Sequence, residues 1–267
     1  MIIEEVTTFI AKTFYGLEDI LAREVKKIGA KDVEILNRAV KFTGNKEILY
    51  KANIFLRTTL RILIPIHEFK VYSYKDLYYK ALKINWDQYF TPHHTFFISS
   101  NVNSRYIDHS HFAALKLKDA IADYFSNKYK IRPSVSKENA DYRFNLRIYK
   151  EQCTISLDSS GESLHKRGYK VKNVHAPLNE VLAAGMIMLT EWSPEIPFID
   201  PMCGSGTLPV EAGLMALGIP PGAFRKEFGF TKWQNYDKEL HYSLLNTKEN
   251  KENTHKVDIL GMDIDEN

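Results

Sequence analysis

Cysteine is nearly missing from this 267-residue chain: only Cys153 and Cys203 occur, too few for a disulfide framework and without metal-ligand spacing. Long apolar runs are also missing. No stretch approaches the roughly 20 residues that span a bilayer. The start, MIIEEVTTF, is acidic and lacks the basic region and apolar core of a secretory signal. These absences point to a cytoplasmic protein with reduced thiols, no membrane partner and no metal. Repeats are absent, and the one polar tract, LNTKENKENTHK at 245–256, reads as an exposed helix end or loop. Two nucleotide signatures fail as well. No G-K-[ST] of a P-loop occurs, and the G-x-G at Gly204–Gly206 is not followed by the third glycine of a dinucleotide fingerprint, because Pro209 stands there.

What is present is the composition of an ordinary globular protein, 44% hydrophobic and 26% charged, long enough for two or three domains. The net charge of +3 decides little, but its distribution is uneven. Between Lys116 and Lys172 thirteen Lys or Arg face seven Asp or Glu, a net of +6. Such a segment suits phosphate contact, while a solvated, charge-balanced surface explains it equally well.

The first seventy residues read strand, helix, strand, strand, helix, strand. TTFIAKTF is a strand ended by Gly16, and LEDILAREVKKIG a helix with Leu17, Ile20, Leu21, Val25 and Ile28 on one face. KDVEIL and RAVKFTG are strands, KEILYKANIFL a helix turning Ile48, Leu49, Ala52 and Phe55 inward, and LRILIPIHEF the last strand. This order is that of a ferredoxin-like domain, assigned to residues 1–70.

Residues 71–160 form a second, α+β domain. Its signals are a helix around Asp76–Leu82, a strand at Phe96–Val102, and a helix over FAALKLKDAIADYFSNKY striped by Phe112, Leu115, Ala120, Ile121, Tyr124 and Phe125. Strands at Phe144–Tyr149 and Cys153–Leu157 follow, ending at the SSGE turn. In RFNLRIY, buried Phe144, Leu146 and Ile148 alternate with Arg143, Asn145 and Arg147, so the outward face offers two guanidiniums.

From residue 161 to 267 helices alternate with strands, the grammar of a doubly wound parallel sheet. APLNEVLAAGMIMLTEW is a helix with Pro177 in its first turn; Phe198–Asp200 is a strand, Leu208–Leu217 a helix, and VDILGMDID a final strand. Between strand and helix lies DPMCGSG. Gly204 and Gly206 tolerate positive φ and let a ligand approach the backbone. The next helix offers free N–H groups and a positive dipole end, and Asp200 at the strand's carboxyl edge can accept from an ammonium or hydroxyl. With no pyrophosphate signature, a nucleoside ligand remains. Asp263, near the tip of the second strand, can bridge ribose hydroxyls. A Gly turn paired with an acidic strand end is the expected set for S-adenosyl-L-methionine.

DPMCGSGTLPVEAGLMALGIPPG resembles motif I and its following helix in the class I RNA methyltransferases that carry a THUMP domain, and is most similar to the bacterial 23S rRNA guanine-N2 methyltransferase family. LHKRGYKV, HAPLNEVLAAGMI and GMDID resemble neighbouring segments of that family, so the resemblance covers essentially the whole chain. It implies a ferredoxin-like domain, a THUMP RNA-binding domain and the first part of a Rossmann-like methyltransferase domain. It assigns Asp200, Cys203, Gly204 and Gly206 to the cofactor pocket wall and Asp263 to the ribose, and sets Ala176, Pro177 and Leu178 near the methionine end. Ser205 and Thr207 would cap the helix or donate to the methionine carboxylate. Cys203 is implied to be a small pocket residue and not a nucleophile. RNA contacts fall to Arg143, Arg147, Lys166, Arg167 and Lys170, while His165 and His175 read as surface or packing residues.

The same resemblance exposes a further absence. Enzymes of this class carry [Asn/Asp]-Pro-Pro-[Tyr/Phe], which holds the target amine and stacks on the flipped base. Here Pro-Pro occurs only at Pro220–Pro221, without the flanking residues. The expectation is an RNA methyltransferase, acting on large-subunit rRNA with tRNA guanine-N2 as the alternative, whose catalytic motif lies beyond Asn267, so that these residues alone do not catalyse. The rival reading is an RNA-binding module with a vestigial methyltransferase part.

Overall fold

Alternation of apolar and polar residues in TTFIAK builds the first strand of the computed structural model, which describes residues 6–170, 177–246 and 257–264. The chain divides into two units. One holds the described residues up to Ile62, Glu162–Glu227, and those from Asp237 onward; the other holds Leu63–Gly161 and Phe228–Tyr236.

In the first unit, β1 (Thr7–Lys12), β2 (Lys31–Leu36) and β3 (Ala39–Gly44) form an antiparallel set in the order β2-β3-β1, with Phe9 opposite Phe42. Leu60 N–H donates to the Lys12 carbonyl at 2.7 Å, bringing the start of β4 (Arg61–Lys70) beside β1. With α1 (Glu18–Lys27) and α2 (Lys46–Phe55) this is the ferredoxin-like arrangement. α1 carries Glu18 and Asp19 in its first turn and Lys26 and Lys27 in its last, matching the helix dipole. It buries Ile20, Leu21, Ala22 and Val25. α2 departs from its predicted face. Leu49 and Ala52 are buried as expected, but Tyr50, Asn53 and Ile54 join them, whereas Ile48 and Phe55 are only half-buried. The reason is α7 (Lys238–Leu245), which covers a second side of α2: the Tyr50 hydroxyl accepts from Asp237 N–H at 3.0 Å, and the Tyr50 ring meets the His241 edge.

The remaining elements of this unit are α5 (Glu180–Leu189), β8 (Phe198–Asp200), α6 (Thr207–Ala216) and β9 (Ile259–Gly261). Asn179 caps α5 by accepting from Val181 and Leu182 N–H, so Pro177 stands before the helix rather than in its first turn. At Gly185 a Cβ would lie 2.5 Å from Leu17 Cδ1. Its absence lets α5 close on the start of α1, where Leu17, Ile20 and Val181 form a shared core.

The second unit orders its strands β4-β7-β6-β5, with β5 (Phe96–Asn103) parallel to β6 (Tyr142–Tyr149), and β7 (Gln152–Asp158) antiparallel to both β6 and β4. β6 buries Phe144, Leu146 and Ile148 and turns Arg143, Asn145 and Arg147 outward, as its alternation predicts. α3 (Tyr74–Leu82) and α4 (Ser110–Tyr129) pack on each other. α4 buries Ala113, Ala114, Leu117, Ala120, Ile121, Ala122 and Phe125, and leaves the predicted stripe residue Phe112 at the surface. Phe112 instead packs edge-on against Tyr74, 4.8 Å between centroids.

Trp86, Phe90, Phe96, Phe125, Tyr142 and Phe144 fill the core with fully or nearly fully buried rings. Phe90 lies 4.9 Å from Phe125 and 5.4 Å from Tyr142, and each such side chain contributes about 1.5–3 kcal/mol by leaving water. Cys153 is fully buried in β7, and burial pushes its thiol up to about 12. Cys203 is only half-buried. Native protein is therefore expected to react with a thiol reagent at Cys203 alone and to expose Cys153 only in denaturant. Equal labelling of both cysteines in the native state would contradict this packing.

Candidate functional site

β8 and β9 run parallel, with Phe198 opposite Ile259, Ile199 opposite Leu260 and Asp200 opposite Gly261. Pairing continues beyond both strands. Met262 N–H donates to the Asp200 carbonyl at 2.9 Å, and Cys203 N–H donates to the Met262 carbonyl at 2.8 Å. The glycine turn is thereby laid along the end of β9, where Gly204 N–H donates to the Asp263 carboxylate at 2.8 Å. Two features 59 residues apart in the chain become one site.

Glycine is required here at two positions for different reasons. Gly206, with φ of 71°, is the left-handed N-cap of α6, a conformation that costs an L-residue about 1–2 kcal/mol. A Cβ on it would meet nothing within 4 Å, so backbone shape and not crowding selects glycine, and the space beside the turn is open. Gly261 is the converse: a Cβ would stand 3.1 Å from Cys203 Sγ and 3.2 Å from Pro209 Cγ. Its absence lets the turn lie against β9. Pro209 falls in the first turn of α6, where no intrahelical N–H partner is needed.

Asp200 Oδ1 accepts from Met202 N–H at 3.2 Å, closing the turn from the strand side. Neither Ser205 nor Thr207 caps the helix, contrary to one expectation. Gly206 occupies that position, and the two hydroxyls lie 3.2 Å apart, bonded to each other. Pro177 is exposed and Leu178 half-buried; they lead into α5, which packs beside α6. Ala176 and His175 lie outside the described residues.

The basic residues part company. Arg147 is exposed, its guanidinium 5.4 Å from the Tyr149 ring. Lys166 is exposed and pairs with Glu162 at 2.7 Å. Arg143 donates to the Lys137 and Glu138 carbonyls at 2.8 and 2.9 Å, pinning a loop. Arg167 is a correction. It is 2% exposed, bonded to Glu211 at 3.2 Å, to the Leu164 carbonyl at 2.9 Å and to the Arg57 carbonyl at 2.6 Å, so it faces the interior and not RNA. Lys170 is also turned inward, paired at 2.7 Å with buried Glu180.

A buried polar group that local sequence pattern does not reveal anchors α6. Around Glu211 converge Arg167 and Tyr169, whose hydroxyl donates at 3.1 Å. Burial and the Glu211 charge raise the Tyr169 pKa and keep its proton in place. Arg57 donates to the Leu214 and Ile219 carbonyls at the far end of α6, at 3.2 and 2.6 Å. Glu24 in turn accepts from the N–H groups of Arg57 and Thr58. One signal was legible: Glu211 is the lone charged residue between Asp200 and Arg225. The linker's path fixes which basic side chain goes in. Gly168 has φ of 97°, and a Cβ there would lie 2.4 Å from the Phe224 carbonyl. Arg225 donates to the carbonyls of Glu162, Ser163 and Lys166.

Comparison with known proteins matches this architecture segment by segment. A model of an RlmL ferredoxin-like domain matches residues 8–63, one of the THUMP domain matches 71–158, and one of an RMKL-like methyltransferase domain matches 167–267. A Synechocystis protein that carries the name of an RNA methyltransferase is 40% identical over 258 residues, 96% of this chain and 67% of that protein. The ribosomal RNA large subunit methyltransferase K/L of Psychromonas ingrahamii is 43% identical over 237 residues, 89% of this chain and 32% of that protein. Among solved structures, a methyltransferase complexed with SAH is 28% identical with a TM-score of 0.84, matching 98% of this chain and 70% of its own. A protein from Clostridium difficile 630 described as a methylase is 32% identical with a TM-score of 0.85, matching 98% and 69%. The chain thus spans about two thirds of the first relative and about one third of the second. Among the described residues, no helix is long and apolar enough to cross a membrane.

Proposed function

Because the chain belongs to the family of THUMP-bearing RNA methyltransferases, we propose that its glycine turn and Asp263 form the cofactor half of an S-adenosyl-L-methionine site serving methylation of RNA. The observation that carries this reading is the 2.8 Å hydrogen bond from Gly204 N–H to Asp263. It places the acceptor-only carboxylate of Asp263 beside a turn whose glycines face open space. The residues suit the cofactor. Asp263 accepts from ribose hydroxyls, the positive end of α6 receives the methionine carboxylate, and Asp200, Cys203 and Gly206 wall the pocket, with Pro177 and Leu178 toward the methionine end. Bound there, S-adenosylmethionine supplies an electrophilic methyl group; the chain's own part is to bind and orient it.

The substrate we assign is a guanine N2 amine of large-subunit rRNA, in the cytoplasm, with Arg147 and Lys166 contributing phosphate contacts. Domain boundaries at 70/71 and 160/161 belong to the same proposal. The acceptor side of the site is not formed by Pro220 and Pro221, which are buried in a turn where Gly222 N–H donates to the Ile54 carbonyl at 3.0 Å. Calorimetric titration with S-adenosylmethionine and with its demethylated product tests the first part, and labelled methyl transfer to rRNA and tRNA transcripts tests the second. We expect both ligands to bind the 267-residue chain and neither transcript to be methylated by it. An enzyme in which these residues are joined to an [Asn/Asp]-Pro-Pro-[Tyr/Phe] motif is expected to methylate rRNA in preference to tRNA. Failure to bind either ligand overturns the site, and preferential tRNA labelling by such an enzyme overturns the substrate.

A further inference from the structure

In the second unit, three tyrosines at one end of the sheet carry cations on or beside their rings. Arg105 lies 4.7 Å from the Tyr106 centroid and donates to its hydroxyl at 2.5 Å. Tyr106 meets Tyr72 edge-on, 5.2 Å between centroids, and Lys80 stands 5.9 Å from the Tyr72 ring. Arg147 and Lys150 lie 5.4 and 5.7 Å from the Tyr149 ring. Tyr72 and Tyr149 are 50% and 46% exposed, and Tyr106 between the cations is half-buried.

Asn103, Ser104, Arg105, Tyr106, Lys150 and Glu151 line an open cavity of about 340 Å³. Backbone geometry builds it. Lys150 N–H donates to the Asn103 carbonyl at 2.8 Å, and Lys150 takes a left-handed φ of 55°, so the tip of the β6–β7 turn sits against the end of β5. Glu151 is drawn to Lys70, 4.0 Å away. Arg105, Arg147 and Lys150 make no ion pair among the described residues.

We propose that this pocket binds one unpaired nucleotide of the RNA, its base against Tyr106 and its phosphate on Arg105 and Lys150. Three properties select that ligand. Unpaired cations demand an anion, the half-buried Tyr106 ring beside them offers a π-surface to a flat partner, and the cavity is of small-ligand size. A duplex cannot meet the second demand, because its base faces are stacked inside the helix and proteins reach it through phosphates and 2′-hydroxyls. The inference rests on the RNA reading above, and it adds that recognition requires a single-stranded element.

Fluorescence anisotropy of this chain with a short labelled single-stranded oligoribonucleotide, a blunt duplex of the same sequence, and a nucleoside monophosphate as competitor tests it. The single strand is expected to bind about tenfold or more tighter than the duplex. Tyr106→Ala removes that advantage and Tyr106→Phe keeps it, while circular dichroism of both variants stays native. Replacing Arg105 and Lys150 together by Ala lowers the salt slope by about 0.7, one single-strand phosphate contact. Equal affinity for duplex and single strand, or a natively folded Tyr106→Ala with unchanged affinity, overturns the pocket while leaving the RNA reading intact. Displacement by the monophosphate at concentrations matching the oligonucleotide reassigns the pocket to a free nucleotide and overturns the proposal. Absence of binding to any RNA overturns the RNA reading and the pocket together.

Discussion

Glu211→Ala is expected to destabilise the protein by about 3–5 kcal/mol, the range for removing one partner of a buried ion pair. Glu211 is fully buried and Arg167 is 2% exposed, so the variant strands a guanidinium where water cannot reach it. The loss is larger than a simple contact because Glu211 Oε1 also accepts from the Tyr169 hydroxyl. Arg167 also holds the carbonyls of Leu164 and Arg57, so the linker, the end of α2 and α6 loosen together. Urea unfolding of the wild type, Glu211→Ala, Arg167→Met and the double variant measures this. The double variant, with an apolar residue at both places, is expected to recover part of the loss, since paired removal leaves no orphaned charge. A single-variant loss under about 1 kcal/mol would show that the pair is hydrated and that α6 is held by something else.

Asp263→Ala is expected to weaken S-adenosylmethionine binding about ten- to a hundredfold, the loss of a charge-assisted hydrogen bond worth about 1.5–3 kcal/mol. The thermal midpoint should barely move, because Asp263 is exposed and the Gly204 N–H it accepts from belongs to a turn already held by the backbone bonds of Met262 and Cys203. That contrast separates the two variants: Glu211→Ala acts on stability first, Asp263→Ala on ligand affinity alone. Asp263→Asn keeps an acceptor for Gly204 and is expected to fall between. Calorimetry that finds wild-type affinity for Asp263→Ala would remove this carboxylate from the site.

Periodicity and turn chemistry, both short-range, are legible in the sequence. The alternation in RFNLRIY put Phe144, Leu146 and Ile148 inside, and the helix over FAALKLKDAIADYFSNKY formed where its pattern predicts. Gly204 and Gly206 marked a left-handed turn into a helix, and the structure has φ of 53° and 71° there. Asp263 could be paired with that turn because parallel strands in this kind of sheet present their carboxyl ends on one edge.

Side-chain destinations were not readable, since they depend on elements distant in the chain. Tyr50 was drawn inside by α7, nearly two hundred residues later. Of Lys166, Arg167 and Lys170, a single basic run in the sequence, the fold leaves Lys166 in water, buries Arg167 on Glu211, 44 residues on, and folds Lys170 onto Glu180. Nothing local distinguishes these three cations. Sequence alone determined the order of elements and the shape of the glycine turn, because backbone preference and apolar spacing act over a few residues. Tertiary structure alone decided which charges face water and which hold the turn in place, because burying a cation is tolerable only where a distant carboxylate and carbonyls have been brought to meet it.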